Sequence, residues 1–172
     1  MKPEIYWIKT PWSGKLAIMP RPRGGDWLQD EIRAWKQEGL DTIVCMLTPE
    51  EMLELDIAGE PSICNQTGLD FIDFPVLDRD IPVSRGSAYN LLDKLAKALK
   101  EGRSIGIHCR MGLGRSAMAA AAVLVLAGVD PEEAFRNIAA ARGFAVPDTP
   151  EQKNWVVQFA WDREKSNASG NQ

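Results

Sequence analysis

The residues of this sequence whose types and spacing could do chemistry together lie in one short stretch, HCRMGLGRS, at positions 108–116. It places the single histidine of the chain, His108, directly before Cys109, and Arg115 six positions after that cysteine. A cysteine that only fills a core needs none of these polar neighbours. An arginine side chain offers a planar set of donors that matches the oxygens of a phosphate. The stretch therefore predicts a thiol held next to a bound anion.

Residues 109–115, called the cradle loop, have the composition of an anion-binding loop. Gly112 and Gly114 supply unusual backbone angles and leave room for close approach of other atoms. Successive backbone N–H groups can then turn inward and form an anion nest. The helix that follows adds positive potential at its N-terminus. We therefore expect all residues of the cradle loop to contact a phosphate, namely Cys109, Arg110, Met111, Gly112, Leu113, Gly114 and Arg115.

The same positive field predicts that Cys109 is a thiolate, with a pKa below the ordinary thiol value of about 8.5. A thiolate beneath a bound phosphate is an in-line nucleophile and would form a phosphocysteine. We expect Ser116 to donate a hydrogen bond to the sulfur and to help it leave in the second step. We expect His108 to orient the loop rather than to act as a base. This chemistry requires neither a metal nor an organic cofactor.

HCRMGLGRS resembles the His-Cys-x5-Arg-Ser/Thr signature of the cysteine-dependent protein tyrosine and dual-specificity phosphatases. The resemblance extends from RPRGGDWL at 21–28 to VPDTPEQ at 146–152. Within this group the chain is most similar to the small bacterial dual-specificity phosphatases related to the cyclin-dependent-kinase-associated phosphatases. The resemblance implies a protein-tyrosine-phosphatase-like fold. It also implies hydrolysis of phosphotyrosine in proteins, with phosphoserine and phosphothreonine as the wider option.

Such phosphatases use an aspartic acid on a loop upstream of the cysteine to protonate the leaving group. FPVLDRDIPVS at 74–84 resembles the family pattern Phe-Pro-x-x-Asp-Arg-Gly-x-Pro, which implies that Asp78 is the general acid. Asp80 stands where that pattern has glycine, so Asp80 is the alternative general acid. VPDTPEQ resembles the segment whose glutamine positions the hydrolytic water, which implies that role for Gln152.

Four other functions share parts of this pattern. A phosphoprotein-binding pseudophosphatase keeps the cradle but usually loses the cysteine or the acid. A phosphoinositide phosphatase typically has extra lysines in its loop, whereas Met111 and Leu113 are apolar here, which favours protein substrates. A sulfurtransferase needs neither an upstream aspartate nor Ser116. A thiol-based arsenate reductase needs resolving cysteines close to its site.

Strand and helix patterns alternate along the chain and predict an α/β fold, with a central, mostly parallel sheet flanked by helices. The predicted strands are 4–9, 15–19, 41–47, 69–76 and 104–108, and the predicted helices are 26–39, 48–55, 87–100, 117–128, 130–143 and 148–165. Thr48, Pro49 and Glu51 form a capping-box pattern. The cradle loop then lies between a central strand and a buried helix, at the strand ends where ligands bind in such folds.

We expect one phosphatase domain over residues 1–165 and a flexible tail over 166–172, where small polar residues dominate. The N-terminus lacks an apolar signal core, and the longest apolar run, 117–129, is too short to span a bilayer. The sequence therefore predicts a cytoplasmic protein with no membrane partner.

The net charge of −4 argues against nucleic acid as a partner. Three cysteines cannot all pair, and with one histidine they argue against a metal site. Cys45 in an apolar strand and Cys64 before a polar turn are interpreted as core residues, with a redox partner of Cys109 as the alternative. We expect a monomer that acts on a phosphoprotein or phosphopeptide. Inorganic phosphate would be its product and a competitive inhibitor.

Overall fold

A five-stranded sheet organises the structure, a computed structural model that describes residues 2–170. Its strands are β1 (Tyr6–Ile8), β2 (Leu16–Met19), β3 (Thr42–Cys45), β4 (Asp70–Asp73) and β5 (Ile105–His108). They lie in the order β1-β2-β5-β3-β4. The β1–β2 pair is antiparallel and the other three pairs are parallel. The predicted mostly parallel sheet is confirmed, and β5 lies at its centre.

Seven α-helices cover the two faces of the sheet within the described residues. They are α1 (Leu28–Gln37), α2 (Pro49–Glu54), α3 (Glu60–Thr67), α4 (Arg85–Lys100), α5 (Arg115–Leu126), α6 (Pro131–Arg142) and α7 (Pro150–Gly170), and a 3-10 turn (Gly25–Trp27) precedes α1. None of these helices is both long enough and apolar enough to cross a membrane.

Two hydrophobic cores form because side chains alternate between the faces of the sheet along each strand. Ile105 and Ile107 of β5 pack in the core that includes α4, α5, α6 and α7. Ile43 and Cys45 of β3 pack in the second core, with α1 and α3. Helix α5 is buried on all sides over residues 115–124, as its continuous apolar sequence predicts. A buried helix of this kind fixes the position of the loop that enters it.

Helix α2 begins with the capping box that the sequence predicts. The Thr48 hydroxyl accepts a hydrogen bond from the Glu51 N–H at 3.2 Å, and Glu51 Oε1 accepts one from the Thr48 N–H at 3.2 Å. Pro49 lies in the first turn, where a backbone N–H would have no partner within the helix. The lack of an N–H on proline therefore removes no hydrogen bond from the helix. The cap holds the Glu51 carboxylate at the start of α2, next to the end of β3.

Helix α3 is a difference between the sequence prediction and the structure. The sequence analysis predicts a polar turn after Cys64, and this is wrong, because Cys64 lies inside α3 and is fully buried. Only Glu60 and Cys64 of this helix are buried, so it has no apolar stripe from which a helix could be recognised. The helix ends at Gly68, which has a φ of 82°.

The C-terminal segment is a second difference. Helix α7 continues to Gly170, so residues 166–170 are helical where the sequence predicts a flexible tail. Their side chains are exposed, so this last part of the helix is maintained by backbone hydrogen bonds rather than by packing. Residues 171 and 172 of the predicted tail lie outside the described residues.

Candidate active site

The cradle loop joins the central strand β5 to the buried helix α5, and its two glycines are required for different reasons. Gly112 has a φ of +71°, and a Cβ there would lie 2.8 Å from the carbonyl atoms of Met19. Gly114 has a φ of −103°, which other residues also adopt, but a Cβ there would lie 2.3 Å from Oδ2 of Asp148. The loop is therefore packed too closely against its neighbours to accept larger residues at these positions.

Cys109 lies at the base of this loop, with its Sγ atom 3.3 Å from Oγ of Ser116. Burial alone raises the pKa of the Cys109 thiol. Hydrogen bonds from the Ser116 hydroxyl, from the backbone of Ser116 and Gly112, and the charge of Arg115 outweigh that effect and lower the pKa. The surroundings of the sulfur therefore favour the thiolate that the sequence predicts.

Arg115 is almost completely buried, with 1% of its surface exposed. Its Nη1 donates to Oε1 of Glu51 at 2.7 Å and its Nη2 donates to Oε2 at 2.9 Å. Nη1 also lies 2.7 Å from the carbonyl oxygen of Val76 and 3.3 Å from that of Met46. These contacts to the ends of neighbouring strands and loops fix the guanidinium beside Cys109.

Glu51 is a residue of the site that sequence reasoning missed, because its capping-box position gave it a purely local role. Burial raises the pKa of its carboxyl, but hydrogen bonds from Arg115 and from the Thr48 backbone, with the nearby arginine charges, lower that pKa to about 2. Its Oε2 also accepts a hydrogen bond from Nε of Arg110 at 3.3 Å. Glu51 is therefore an anion at neutral pH that holds both arginines of the cradle loop.

The two candidate acids differ in their position relative to a cavity of about 200 Å³ above Cys109, which Asp78 borders and Asp80 does not. Oδ1 of Asp78 lies 3.3 Å from Nη2 of Arg115, and Asp78 borders the cavity. Oδ1 of Asp80 instead accepts a hydrogen bond from the backbone N–H of Ile81 at 2.8 Å. Among the described residues the cavity is bordered by Asp78, Arg79, Cys109, Arg110, Met111, Leu113, Gly114, Arg115 and Asp148. The position of Asp78 thus suits a proton donor to a bound phosphate better than that of Asp80 does.

Gln152 is fully buried and joins two loops next to the site. Its Nε2 donates to the carbonyl oxygen of Asp80 at 3.1 Å, and its Oε1 accepts from the backbone N–H of Asp148 at 3.1 Å. These bonds hold the loop with the candidate acids against the segment that leads into α7. The role of Gln152 in orienting water stays a prediction.

His108 does not face the cavity but the opposite side of the loop. Its Nδ1 lies 3.3 Å from the carbonyl oxygen of Cys109, and its Nε2 lies 2.6 Å from Oε1 of Glu60 on α3. Both side chains are fully buried. Cys45, Glu60 and His108 have side chains of the types that bind metals. One ligand atom from each lies within 4.8 Å of the other two, so these residues could hold a metal. Two of the three are already joined by the 2.6 Å contact.

Arg142 on α6 holds the cradle loop from outside. Its Nε donates to the carbonyl oxygen of Gly112 at 3.2 Å and its Nη2 to that of Met111 at 3.0 Å. The guanidinium also lies over the rings of Tyr6 and Phe144, at 4.3 and 5.0 Å from their centroids. Nothing in the sequence pattern indicates these contacts, because they join a loop to a helix that follows it later in the chain.

The chain is similar to several known proteins. Residues 25–135 match the family model described as Cyclin-dependent kinase inhibitor 3 (CDKN3). Cyclin-dependent kinase inhibitor 3 of Mus musculus is 28% identical over 133 residues, and that of Homo sapiens is 27% identical over 134 residues. Each alignment covers 77% of this chain but 63% of the relative, so the chain spans less than two thirds of the length of these curated relatives.

Solved structures show the same fold. Kinase associated phosphatase (KAP), crystallised with a serine in place of its catalytic-site cysteine, has a TM-score of 0.85 and 24% identity over 92% of this chain and 94% of that chain. PTPMT1 has a TM-score of 0.76 and 19% identity over 95% of this chain and 99% of that chain. The match to the family model covers more than half of the chain. On these grounds the chain belongs to the cyclin-dependent kinase inhibitor 3 (CDKN3) family.

Proposed function

We propose that this chain hydrolyses phosphomonoesters on proteins through a phosphocysteine intermediate. The observation that carries the proposal is the position of Cys109, a thiol of lowered pKa at the base of a cavity bordered by Arg115 and the cradle loop. A thiolate and a guanidinium fixed around a space of about 200 Å³ suit the binding and attack of one phosphate group.

In the first step, the Cys109 thiolate attacks the phosphorus atom, and the S–P bond forms as the bond from phosphorus to the leaving oxygen breaks. Asp78 gives its proton to that oxygen, since an unprotonated alkoxide or phenolate is a poor leaving group. Arg115 and the backbone N–H groups of the cradle loop bind the three equatorial oxygens. The position of Asp78 at the border of the cavity supports its role as the acid.

In the second step, water attacks the phosphorus atom of the phosphocysteine, and Asp78 takes a proton from that water. The S–P bond breaks and inorganic phosphate is released. Ser116 donates to the departing sulfur, and this role is supported by the 3.3 Å distance between Oγ and Sγ. Because phosphate binds in the same cradle before and after reaction, we propose that it also inhibits the enzyme competitively.

We propose a phosphorylated protein rather than a phosphoinositide as the substrate. The mouth of the cavity presents the carboxylates of Asp78 and Asp148, which would repel further phosphates on an inositol ring. Two large apolar side chains near it, Leu77 and Met111, are each 60% exposed and could contact a peptide. The name of kinase associated phosphatase is consistent with a protein substrate.

A phosphoinositide phosphatase is the second candidate, and one observation favours it. PTPMT1 has been crystallised in complex with PI(5)P, and that structure has a TM-score of 0.74 to this chain. Arg79 and Arg110 at the cavity would provide the cations for a second phosphate. Arg110 is, however, already paired with the carboxylates of Glu51 and Glu54.

The first experiment is hydrolysis of para-nitrophenyl phosphate by the wild type and by Cys109→Ser, with chelator and reductant present. We expect turnover by the wild type and none by the variant, because serine at this position would not be ionised. Turnover that persists in Cys109→Ser would overturn the phosphocysteine. A folded wild type that binds phosphopeptides without turnover would instead indicate a phosphoprotein-binding pseudophosphatase.

The second experiment compares phosphotyrosine, phosphoserine and phosphothreonine peptides with a short-chain PI(5)P as substrates. A higher kcat/KM on a peptide supports the proposal, and a higher kcat/KM on the lipid contradicts it.

We propose further that the protein acts as a cytoplasmic monomer. The three cysteines are buried free thiols, which suits a reducing compartment.

A further inference from the structure

The surroundings of His108 determine its protonation state. Both ring nitrogens face oxygen atoms, with Nε2 at 2.6 Å from Oε1 of Glu60 and Nδ1 at 3.3 Å from the carbonyl oxygen of Cys109. A carbonyl and a carboxylate oxygen only accept hydrogen bonds, so both nitrogens must donate. A neutral imidazole has one N–H group, whereas an imidazolium has two. With Glu60 ionised, this geometry favours a charged His108.

From this we infer that Glu60 is a positioning residue for Cys109: its buried carboxylate keeps His108 as an imidazolium, which holds the Cys109 backbone and places a positive charge behind the thiolate. Glu60 acts through His108 and does not touch the substrate. The inference deepens the proposed phosphatase function and rests on it for the activity measurements only.

The other groups around the pair are neutral or acidic. Cys45 on β3 lies beside His108 in the register of the sheet, and Cys64 lies one turn after Glu60 on α3. Asp73 on β4 has a pKa raised by burial and by the charge of Glu60. The Trp35 ring on α1 lies 5.8 Å from the imidazole. None of these four neighbouring side chains carries a positive charge that could replace that of the His108 imidazolium.

Burial and the charge of Glu60 have opposite effects on the pKa of His108. Burial alone lowers the pKa of His108, but the charge of Glu60, together with the contacts to Cys45, reverses this and raises the pKa well above 6.5. A raised pKa means that the imidazolium persists through neutral pH and is lost only as the pH rises through the folded-state value. Oε2 of Glu60 is buried without a hydrogen-bond partner among the described residues, so the contact at Oε1 is what compensates the carboxylate.

The cluster is an ion pair rather than a metal site. Donor atoms of Cys45, Glu60 and His108 lie within 4.8 Å of one another, as in a metal centre. The 2.6 Å separation of Nε2 and Oε1 is a charge-assisted hydrogen bond. Two ligands of one tetrahedral zinc ion, each about 2 Å from the metal, would be farther apart than that.

Glu60→Gln separates the charge of this carboxylate from its shape. Glutamine keeps the shape of the side chain and can turn either its oxygen or its NH2 group to Nε2. Without the negative charge, the buried imidazolium loses its proton near neutral pH. With the amide NH2 donating to Nε2, the remaining proton lies on Nδ1 and can still donate to the carbonyl oxygen of Cys109. The variant therefore loses the positive charge behind the sulfur, while the hydrogen bond to the loop can be kept.

Because His108 is the only histidine in the sequence, its ring can be observed directly by ¹⁵N NMR in untagged protein. In the wild type we expect both ring nitrogens to be protonated, with no titration between about pH 6 and 8. In Glu60→Gln we expect one nitrogen to lose its proton within that range. A singly protonated ring in the wild type at about pH 7 would overturn the inference, whether or not the variant folds.

The second readout is the rate at which iodoacetamide alkylates Cys109 as a function of pH, followed on the Cys109 peptide by mass spectrometry. We expect Glu60→Gln to raise the pKa of Cys109 by about one unit, which lowers the thiolate fraction and kcat/KM about tenfold below that pKa. Cys64→Ala on the same helix is the control, since it alters packing and keeps the charge. An unchanged pKa of Cys109 in Glu60→Gln would contradict the inference.

Both readouts are repeated with chelator, and a change on chelation would contradict the ion pair and indicate a metal site. The two proposals can fail separately, because NMR and alkylation do not depend on turnover. If the wild type has no phosphatase activity, the proposed function fails while the charge state of His108 is still measured. If the wild type is active and Glu60→Gln has the same pH profile, only the role of Glu60 fails.

Discussion

The carboxylate of Glu51 binds Arg115 end-on, with Oε1 2.7 Å from Nη1 and Oε2 2.9 Å from Nη2. The residue that completes the capping box of α2 is thus also the counterion of the buried cation in the cradle loop. Nη2 also lies 3.3 Å from Oδ1 of Asp78, and both residues border the cavity above Cys109. Glu51 therefore orients Arg115 before any substrate binds.

Replacing Glu51 by glutamine tests this orientation. Glu51→Gln leaves a buried guanidinium without its anion, and we expect a loss of stability of about 3 kcal/mol. We also expect a higher KM and weaker inhibition by phosphate, because Arg115 is no longer held in one position. Urea unfolding and steady-state kinetics measure the two effects.

Glu54→Gln is the matched control, since Glu54 lies on the same helix and pairs with Arg110 at 3.2 Å on the surface. Exposed pairs of this kind contribute less than about 1 kcal/mol. If the two variants lose equal stability, the buried pair has no special importance.

The lowered pKa of Glu51 also predicts how stability depends on pH. The carboxyl has a pKa of about 2 in the folded protein, against an ordinary value of 4.5. A lowered pKa means that the stabilisation is complete above about 4.5 and is lost as the pH falls through about 2. The stability difference between wild type and Glu51→Gln should therefore shrink over this window. A difference that stays constant down to about pH 2 would contradict the assignment.

Much of this architecture could be predicted from sequence because it depends on local signals. The strand before Cys109, the buried helix after it and the capping box at Thr48 each have a pattern that spans a few residues. The roles of Glu51, Glu60 and Arg142 could not be predicted in this way. Each of these side chains contacts the cradle loop, or His108 directly before it, from an element distant in sequence. Single charged residues in helices are ordinary on a protein surface.

The choice between Asp78 and Asp80 as the acid gives a sharp kinetic prediction. We expect Asp78→Asn to lower kcat about 10²-fold or more on phenyl phosphate, whose leaving group needs a proton. The loss should be smaller on para-nitrophenyl phosphate, whose leaving group is a weaker base. Asp80→Asn should remain near wild type, because its carboxylate caps the Ile81 N–H outside the cavity. The reverse ranking would identify Asp80 as the acid.

Because Gly114 and Asp148 are in close contact, we expect a substitution of Asp148 to restore part of the activity that is lost on substitution of Gly114. Gly114→Ala places a Cβ 2.3 Å from Oδ2 and 2.9 Å from Cγ of Asp148, so the loop must shift and activity should fall. The double variant Gly114→Ala/Asp148→Ala removes both of these atoms and should recover part of that activity. Gly112→Ala should not be rescued by any side-chain change, because it has a positive φ and its Cβ meets the Met19 backbone. Equal activity of Gly114→Ala with and without Asp148→Ala would show that the contact is unimportant.

The hydroxyl of Ser116 should affect the second chemical step more than the first. It lies 3.3 Å from Sγ of Cys109 and is fully buried. A hydrogen bond to a charged group contributes about 1.5–3 kcal/mol, so Ser116→Ala should slow the loss of the thiolate from phosphocysteine at least about tenfold. The variant should also raise the pKa of Cys109, since Ser116 is the main group that lowers it. Rapid-mixing assays of Ser116→Ala with para-nitrophenyl phosphate should then show a burst of product followed by slow turnover. The control is Ser116→Thr, which keeps the hydroxyl and should show a smaller burst. If Ser116→Ala lowers the burst rate and the steady-state rate equally, the hydroxyl acts on attack rather than on departure of the sulfur.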